Sequence, residues 1–117
     1  MKRLFLLDDG KDFEAVLRIG LHKRGHYPEI FFSQNKTEYQ RHLPEGYDIY
    51  VLHLSYTSEE AIKELNEMQP WSKIVVKTSI KRDNFFIPED LKSIISGSYD
   101  SGNLKGGNDI VSDLLKE

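Results

Sequence analysis

The sequence predicts an α/β fold with a parallel sheet of four to five strands that is covered by helices on both faces. Short apolar runs recur as far as residue 79. Segments with the three-four apolar spacing of helices alternate with them, and turn or capping residues bound each segment. Alternating strands and helices favour parallel pairing, because each helical crossover returns the chain to the edge of the sheet from which it started.

Each element is predicted from a local pattern of side chains. Continuous apolar or β-branched runs indicate strands that are buried on both faces, and a glutamate three residues after Asn35 or Thr57 resembles a capping box. In the first half of the chain we predict a strand at 4–7, a helix at 11–23 ended by Gly25, a strand at 29–32, a helix from Asn35 to about Leu43 and a strand at 49–54. A helix opened by Thr57 and ended by Pro70 follows, with Ile62, Leu65 and Met68 facing inward, and then a strand at 74–76. The remainder is predicted as a helix at 88–95, a short edge strand near 101–104, and a terminal helix with Ile110, Val111, Leu114 and Leu115 on its apolar face.

Bulk properties narrow the class of protein. A chain of 117 residues predicts one domain, residues 1–117, with the least pattern in 79–117. A net charge of −3 gives no electrostatic case for binding nucleic acid or an anionic membrane. The absence of cysteine excludes disulfides, thiolate metal sites and cysteine nucleophiles. No apolar segment has the length of a signal peptide or a membrane span, so we expect a cytoplasmic protein.

Polar residues follow three of the predicted strands. Ligands of an open parallel sheet gather beyond the carboxyl ends of its strands. The residues predicted there are Asp8, Asp9, His53, Ser55, Thr78 and Ser79. Two adjacent carboxylates can form half of a magnesium site, since Mg²⁺ takes one or two protein carboxylates and keeps several waters. Equally, Asp8 can simply end the strand while Asp9 caps the following helix.

In order and spacing, these motifs resemble the receiver domains of bacterial response regulators, the CheY-like phosphoacceptor family. Asp8 and Asp9 match the acidic pair after the first strand of that family. The segment 47–53 is similar to the third-strand motif, with His53 where the family has its phosphorylated aspartate. Thr78 matches the hydroxyl residue after the fourth strand, and Lys105 matches the lysine after the fifth. The resemblance implies a flavodoxin-like strand order.

The resemblance also implies a function, which the histidine changes. In the family the acidic pair holds Mg²⁺, the aspartate forms an acyl phosphate, and the lysine and hydroxyl residue contact the phosphoryl group. His53 cannot form an acyl phosphate and removes one anionic ligand, so at most a weak Mg²⁺ site at Asp8 and Asp9 is expected. We therefore expect a pseudo-receiver that signals through protein contact, with its surface near the fourth strand and the last helix. A second copy of the chain is one candidate partner.

Two other hypotheses use the same residues. Asp8, Asp9 and His53 could hold a divalent ion for phosphoryl transfer, although the sequence offers no convincing third acidic ligand. His53 could instead accept a phosphoryl group itself, since an imidazole nitrogen is a competent nucleophile. The structural alternative is a hydrogen-bonded histidine that only ends a strand. The leading expectation assigns no catalytic residue and no enzymatic activity.

Overall fold

The computed structural model describes residues 3–8, 10–78, 89–95, 97–100, 111 and 114, and for residues 78 and 97–100 it describes the backbone. Within these residues, five strands form one sheet: β1 (Arg3–Leu7), β2 (Glu29–Ser33), β3 (Ile49–His53), β4 (Lys73–Thr78) and β5 (Gly97–Asp100). The helices are α1 (Lys11–Lys23), α2 (Glu59–Met68) and α3 (Glu89–Lys92), with a 3₁₀ turn at Leu54–Tyr56. Among the described residues, no helix is long and apolar enough to cross a membrane.

The strands pair in parallel in the order β2-β1-β3-β4-β5. This is the flavodoxin-like order, so the predicted α/β class and parallel sheet are confirmed. The order reverses between β1 and β3, because the chain first moves outward to β2 and then returns to the other side of β1. The carboxyl ends of β1 and β3 therefore border the crevice in which folds of this kind place their ligands.

Two apolar clusters fill the two sides of the sheet. Alternate residues of a strand face opposite sides, so a continuous apolar run is needed where both faces are buried. On one side the strand residues Leu4, Leu6, Ile49, Val51 and Val75 pack with Leu17 and Leu21 of α1. On the other side Phe5, Leu7, Tyr50, Leu52, Ile74 and Val76 pack with Ala61, Ile62 and Leu65 of α2.

The first helix has the predicted bounds, and Gly25 follows it with a φ of +79°, as a glycine stop requires. Its N-cap is Gly10, which provides no side-chain cap. A Cβ at Gly20 would lie 2.9 Å from Cγ2 of Val111, so α1 approaches the end of the chain very closely. Val111 and Leu114 are helical and buried, as predicted for the terminal helix, whereas 110 and 115 lie outside the described residues.

The helix predicted from Asn35 to Leu43 is wrong, because this segment forms turns. Only half of the capping box forms: the Asn35 carboxamide oxygen accepts from the amide of Glu38, but the Glu38 carboxylate accepts from the Asn35 side chain, and the Asn35 amide donates to the Ser33 hydroxyl. The side chain of Gln40 donates to the carbonyl of Lys36 at 2.6 Å. That carbonyl is the one that the Gln40 amide would need in a helix.

The second helix begins one residue later than predicted. Its N-cap is Ser58, whose hydroxyl accepts from the amide of Ala61. Thr57 instead donates its hydroxyl to the buried carbonyl of Tyr39, so it fastens the preceding turn segment. The predicted inward position of Met68 is wrong, since that side chain is 43% exposed and Ala61 is buried instead. The last residue of α2 therefore does not belong to its buried face.

A strand, β5, lies at Gly97–Asp100, and the predicted position near 101–104 falls outside the described residues. Its glycine and serine have low strand propensity, so the sequence pattern did not mark it. Backbone pairing with β4, from Val75–Gly97 to Thr78–Asp100, overrides that propensity. The helix predicted at 88–95 is described as the shorter α3, and residue 88 lies outside the described residues.

Candidate functional site

Three polar side chains form a row across the carboxyl edge of the sheet. β1 and β3 pair Leu7 with Leu52, so Asp8 and His53 follow as the next pair of neighbours. β3 and β4 pair His53 directly with Lys77. Strand alternation assigns Asp8, His53 and Lys77 to the same side of the sheet, the side that α1 covers. The register thus places Asp8 and His53 at the ends of neighbouring strands.

Lys77 and Asp8 form a buried ion pair. The Lys77 Nζ lies 2.6 Å from Oδ2 of Asp8, and the two side chains are 2% and 0% exposed. The two residues are on β4 and β1, so the lysine side chain extends across the position of β3 to reach the carboxylate. A charge-assisted hydrogen bond of this length in a buried setting is strong, and each charge depends on the other to offset its lost hydration.

The ammonium group of Lys77 also contacts an aromatic ring. The Nζ of Lys77 lies 3.6 Å from the ring centroid of Phe13, near the start of α1. A cation over an aromatic face is attracted by the ring quadrupole, by roughly 2 kcal/mol or more once it is desolvated. The helix thus contributes a ring that stabilises the charged lysine beside Asp8.

His53 is buried, and its ring is oriented by the backbone that follows it. It is the N-cap of the 3₁₀ turn, with Nδ1 accepting a 3.2 Å hydrogen bond from the amide of Ser55. Its ring centroid lies 5.0 Å from that of Tyr56. Because Nδ1 accepts, the neutral imidazole carries its proton on Nε2. The histidine therefore has a structural role at the strand end, whatever else it does.

The predicted site residues differ in how far the structure describes them. Asp8 and His53 are neighbours, and Thr78 pairs through its backbone with Asp100 on β5. Asp9 and Lys105 lie outside the described residues. The receiver-like pocket of all five therefore stays a prediction.

Lys77 is the residue that the sequence analysis missed. A signal was present: a lysine follows three consecutive apolar residues of a strand that is buried on both faces. Lys77 has the same parity as Val75, which faces the core under α1. A charge directed into a core requires a partner of opposite charge. The acidic residue at the end of β1 was the nearest candidate in the topology.

The described residues at this edge do not fit a magnesium ion. Mg²⁺ needs carboxylate oxygens in an octahedral shell and keeps several waters. Here Oδ2 of Asp8 binds an ammonium, and Phe13 covers that ammonium with an apolar ring. Within the described part of the chain, no group of three histidine, aspartate or glutamate residues could hold a metal ion.

Comparisons with known proteins find similarity in structure and not in sequence. No protein-family profile matches the chain, and no curated protein matches it. The cyanobacterial phytochrome response regulator RcpA, solved in its phosphorylated form, is 21% identical with a TM-score of 0.66, over 97% of this chain and 90% of that chain. The Thermotoga maritima response regulator TrrA, solved with Mg²⁺ and BeF, is 20% identical with a TM-score of 0.60, over 98% and 100%. TrrA in complex with the histidine kinase ThkA is 20% identical with a TM-score of 0.61, over 99% of this chain and 100% of that chain.

This chain has the receiver fold. Its structural neighbours are CheY-like response-regulator receiver domains, and the match extends over nearly the whole of both chains. Identities near one residue in five show the fold alone. RcpA was solved in a phosphorylated form and TrrA with Mg²⁺ and BeF, and these are properties of those proteins.

Proposed function

We propose that this protein is a pseudo-receiver, a signalling domain that acts through protein contact and is not switched by aspartyl phosphate. One observation carries the proposal: the residue at the end of β3, level with Asp8, is His53. An imidazole has no carboxylate with which to form an acyl phosphate. Support for a signalling role comes from the receiver fold, which RcpA and TrrA share. We assign no catalytic residue and no enzymatic activity.

Phosphorylation of His53 itself is disfavoured by its hydrogen bond. A nitrogen nucleophile must offer a lone pair to phosphorus. In the neutral ring the lone pair lies in the plane at Nδ1, where it accepts from the amide of Ser55. Nε2 carries the proton, and the side chain is buried. A phosphoryl donor would have to displace the backbone hydrogen bond before it could react.

The covalent part of the proposal is tested by intact-mass measurement. The full chain is incubated with acetyl phosphate and with phosphoramidate in the presence of Mg²⁺, and RcpA, whose structure is of a phosphorylated form, is the positive control. We expect RcpA to gain the mass of a phosphoryl group and this chain to gain none. A gain that disappears in His53→Ala would show that the histidine is a phosphoacceptor and would overturn the proposal.

The partner is proposed to be a protein. The complex of TrrA with the histidine kinase ThkA shows that a protein of this fold can dock on a kinase, which supports a protein partner here. The resemblance favours a surface near β4 and the last helix. Just before β4, the connection from α2 exposes Trp71 at 63% and follows the exposed Met68. Exposed tryptophan is enriched at sites of protein contact, so we include this connection in the proposed surface. A second copy of the chain is the simplest candidate.

Binding without a phosphoryl switch gives a second test. The immobilised full chain is compared with Trp71→Ser, and with Tyr27→Ser as a matched control, because Tyr27 is an aromatic residue that is also exposed, at 73%, but follows α1. We expect the immobilised chain to retain a partner protein in the presence of EDTA and without a phosphoryl donor. Of the two variants, only Trp71→Ser should fail to retain it. Sedimentation of the same variants identifies self-association. Retention that requires a phosphoryl donor contradicts the proposal.

A further inference from the structure

Lys77 lies where the acidic edge of a receiver fold would be expected to bind a metal. The β3–β4 register pairs it with His53, and its Nζ is 2.6 Å from Oδ2 of Asp8. Asp8 is the first member of the acidic pair predicted to bind Mg²⁺. The ammonium therefore takes a carboxylate oxygen that a divalent ion would need, and it brings a positive charge to the same place.

The surroundings of the ammonium are built for a dehydrated cation and not for a hydrated one. Its side chain is 2% exposed, and the ring of Phe13 lies 3.6 Å from Nζ. An aromatic face stabilises a bare ammonium, whereas Mg²⁺ releases its waters reluctantly and requires oxygen ligands. The lysine stem also fills the path from β4 to Asp8 with methylene groups. Both the carboxylate and the aromatic face thus suit the lysine.

We propose that Lys77 is a tethered cation that replaces the divalent metal ion at this site. Its consequence is a site that is permanently neutralised and independent of metal, because the cation belongs to the chain and cannot dissociate. The same bond ties the carboxyl end of β4, immediately before Thr78, to the end of β1. The inference rests on the proposed function only in taking this edge as the counterpart of the phosphorylation site.

The test measures Mn²⁺ and Mg²⁺ binding by calorimetry and by the electron paramagnetic resonance of free Mn²⁺. Three full-length proteins are compared: the natural chain, Lys77→Ala, and Lys73→Ala as a matched control at the opposite end of β4. Removing one like charge at contact distance should tighten Mn²⁺ binding by about tenfold or more. We expect this gain in Lys77→Ala alone, and its loss when Asp8→Asn is added. A folded Lys77→Ala that binds Mn²⁺ no better than the natural chain overturns the proposal.

A measurement on the natural chain keeps the proposal testable if Lys77→Ala does not fold. A buried, hydrogen-bonded ammonium exchanges its protons slowly, so the Nζ of Lys77 should give a resolved ¹H–¹⁵N signal that is absent in Asp8→Asn. We expect millimolar MgCl₂ to leave this signal and the Asp8 carboxyl resonance unchanged. A shift of either resonance that saturates with Mg²⁺ overturns the proposal. Failure here is distinct from failure of the proposed function, which is read from phosphoryl mass and partner binding.

Discussion

The two edges of the sheet both bury polar side chains, but they do so in different ways. At the carboxyl edge, two full charges meet in a single short contact between Asp8 and Lys77. At the amino edge, neutral groups of Gln69, Tyr50 and Ser72 share many hydrogen bonds with the backbone around Tyr47. The difference indicates that the amino edge has a structural role alone. A neutral network connects loops without burying charge, whereas a buried charge pair carries a large desolvation cost and suggests a role that requires charge.

The neutral network at the amino edge is centred on Gln69, the residue after α2. Its Nε2 lies within hydrogen-bonding distance of the Tyr47 carbonyl, the Tyr50 hydroxyl and the Ser72 hydroxyl, at 3.2, 3.2 and 2.8 Å. Its Oε1 accepts from the amide of Gly46 at 2.6 Å. The side chain therefore joins the loop before β3 to the loop before β4. Loss of any one contact leaves the others in place.

The carboxyl edge should be the more sensitive of the two. Lys77→Met keeps the length of the side chain and removes its charge, so Asp8 is left buried beside an apolar group. We expect the free energy of unfolding to fall by about 3–5 kcal/mol, the usual cost of removing one partner from a buried pair. Urea titration followed by circular dichroism measures this. Asp8→Asn is expected to cost a similar amount, and the double variant should recover part of the loss. Strictly additive losses would show that the two side chains are not coupled.

The amino edge should respond less to a comparable change. Gln69→Leu removes the carboxamide and leaves the Gly46 amide and the Tyr50 hydroxyl with fewer partners. The expected loss is about 1–3 kcal/mol, since the groups left behind are neutral. Gln40→Leu is the matched control, because that carboxamide makes its hydrogen bonds at the surface. A loss in Gln69→Leu that equals the loss in Lys77→Met would abolish the distinction between the two edges.

Alkaline pH probes the amino edge through its tyrosine. Burial raises the pKa of Tyr50 above its ordinary value of 10.0, against opposing hydrogen bonds from the Tyr47 backbone and Gln69. Below pH 10 both folded and unfolded chains keep the Tyr50 proton, so the contribution of this group to stability is fully present. Above pH 10 the unfolded chain loses the proton first, and stability falls as pH rises through the folded pKa. Tyr39, also raised in pKa mainly by burial, adds to the fall.

The measurement is a set of urea titrations between pH 8 and about 11, combined with phenolate absorbance. We expect the midpoint to decline above pH 10 and the decline to be shallower in Tyr50→Phe and in Tyr39→Phe. Stability that stays level across this range in the natural chain contradicts the burial of these hydroxyl groups. Because Asp8 and Lys77 occupy the other edge, Tyr50→Phe should leave the coupling measured there unchanged.

The sequence predicted what depends on local pattern and missed what depends on distant register. The parallel sheet follows from apolar runs and crossovers, whereas its flavodoxin-like order was implied by the resemblance to receiver domains. That Asp8 and His53 end neighbouring strands depends on parallel strands that end together. A capping box at Asn35 looks the same whether a helix or a turn follows it, so the predicted helix was wrong. The partner of Lys77 lies 69 residues away in the chain. Its position also depends on how α1 places Phe13, which no local pattern contains.

The smallest effect is expected at a lysine that has two acidic partners but is exposed. Lys63 Nζ lies 3.0 Å from Glu59 and 3.0 Å from Asp90, and its hydrogen bond to Asp90, then that to Glu59, raise its pKa above 10.5. A raised lysine pKa contributes stability below pH 10.5 that is lost as pH rises through the folded value. Solvent and salt screen this contribution, because the group is at the surface. Lys63→Met should therefore leave the urea midpoint within experimental error at moderate salt, although Lys63 contacts two carboxylates. A midpoint loss as large as that of Lys77→Met would mean that the number of ionic contacts, and not their burial, determines what each lysine contributes.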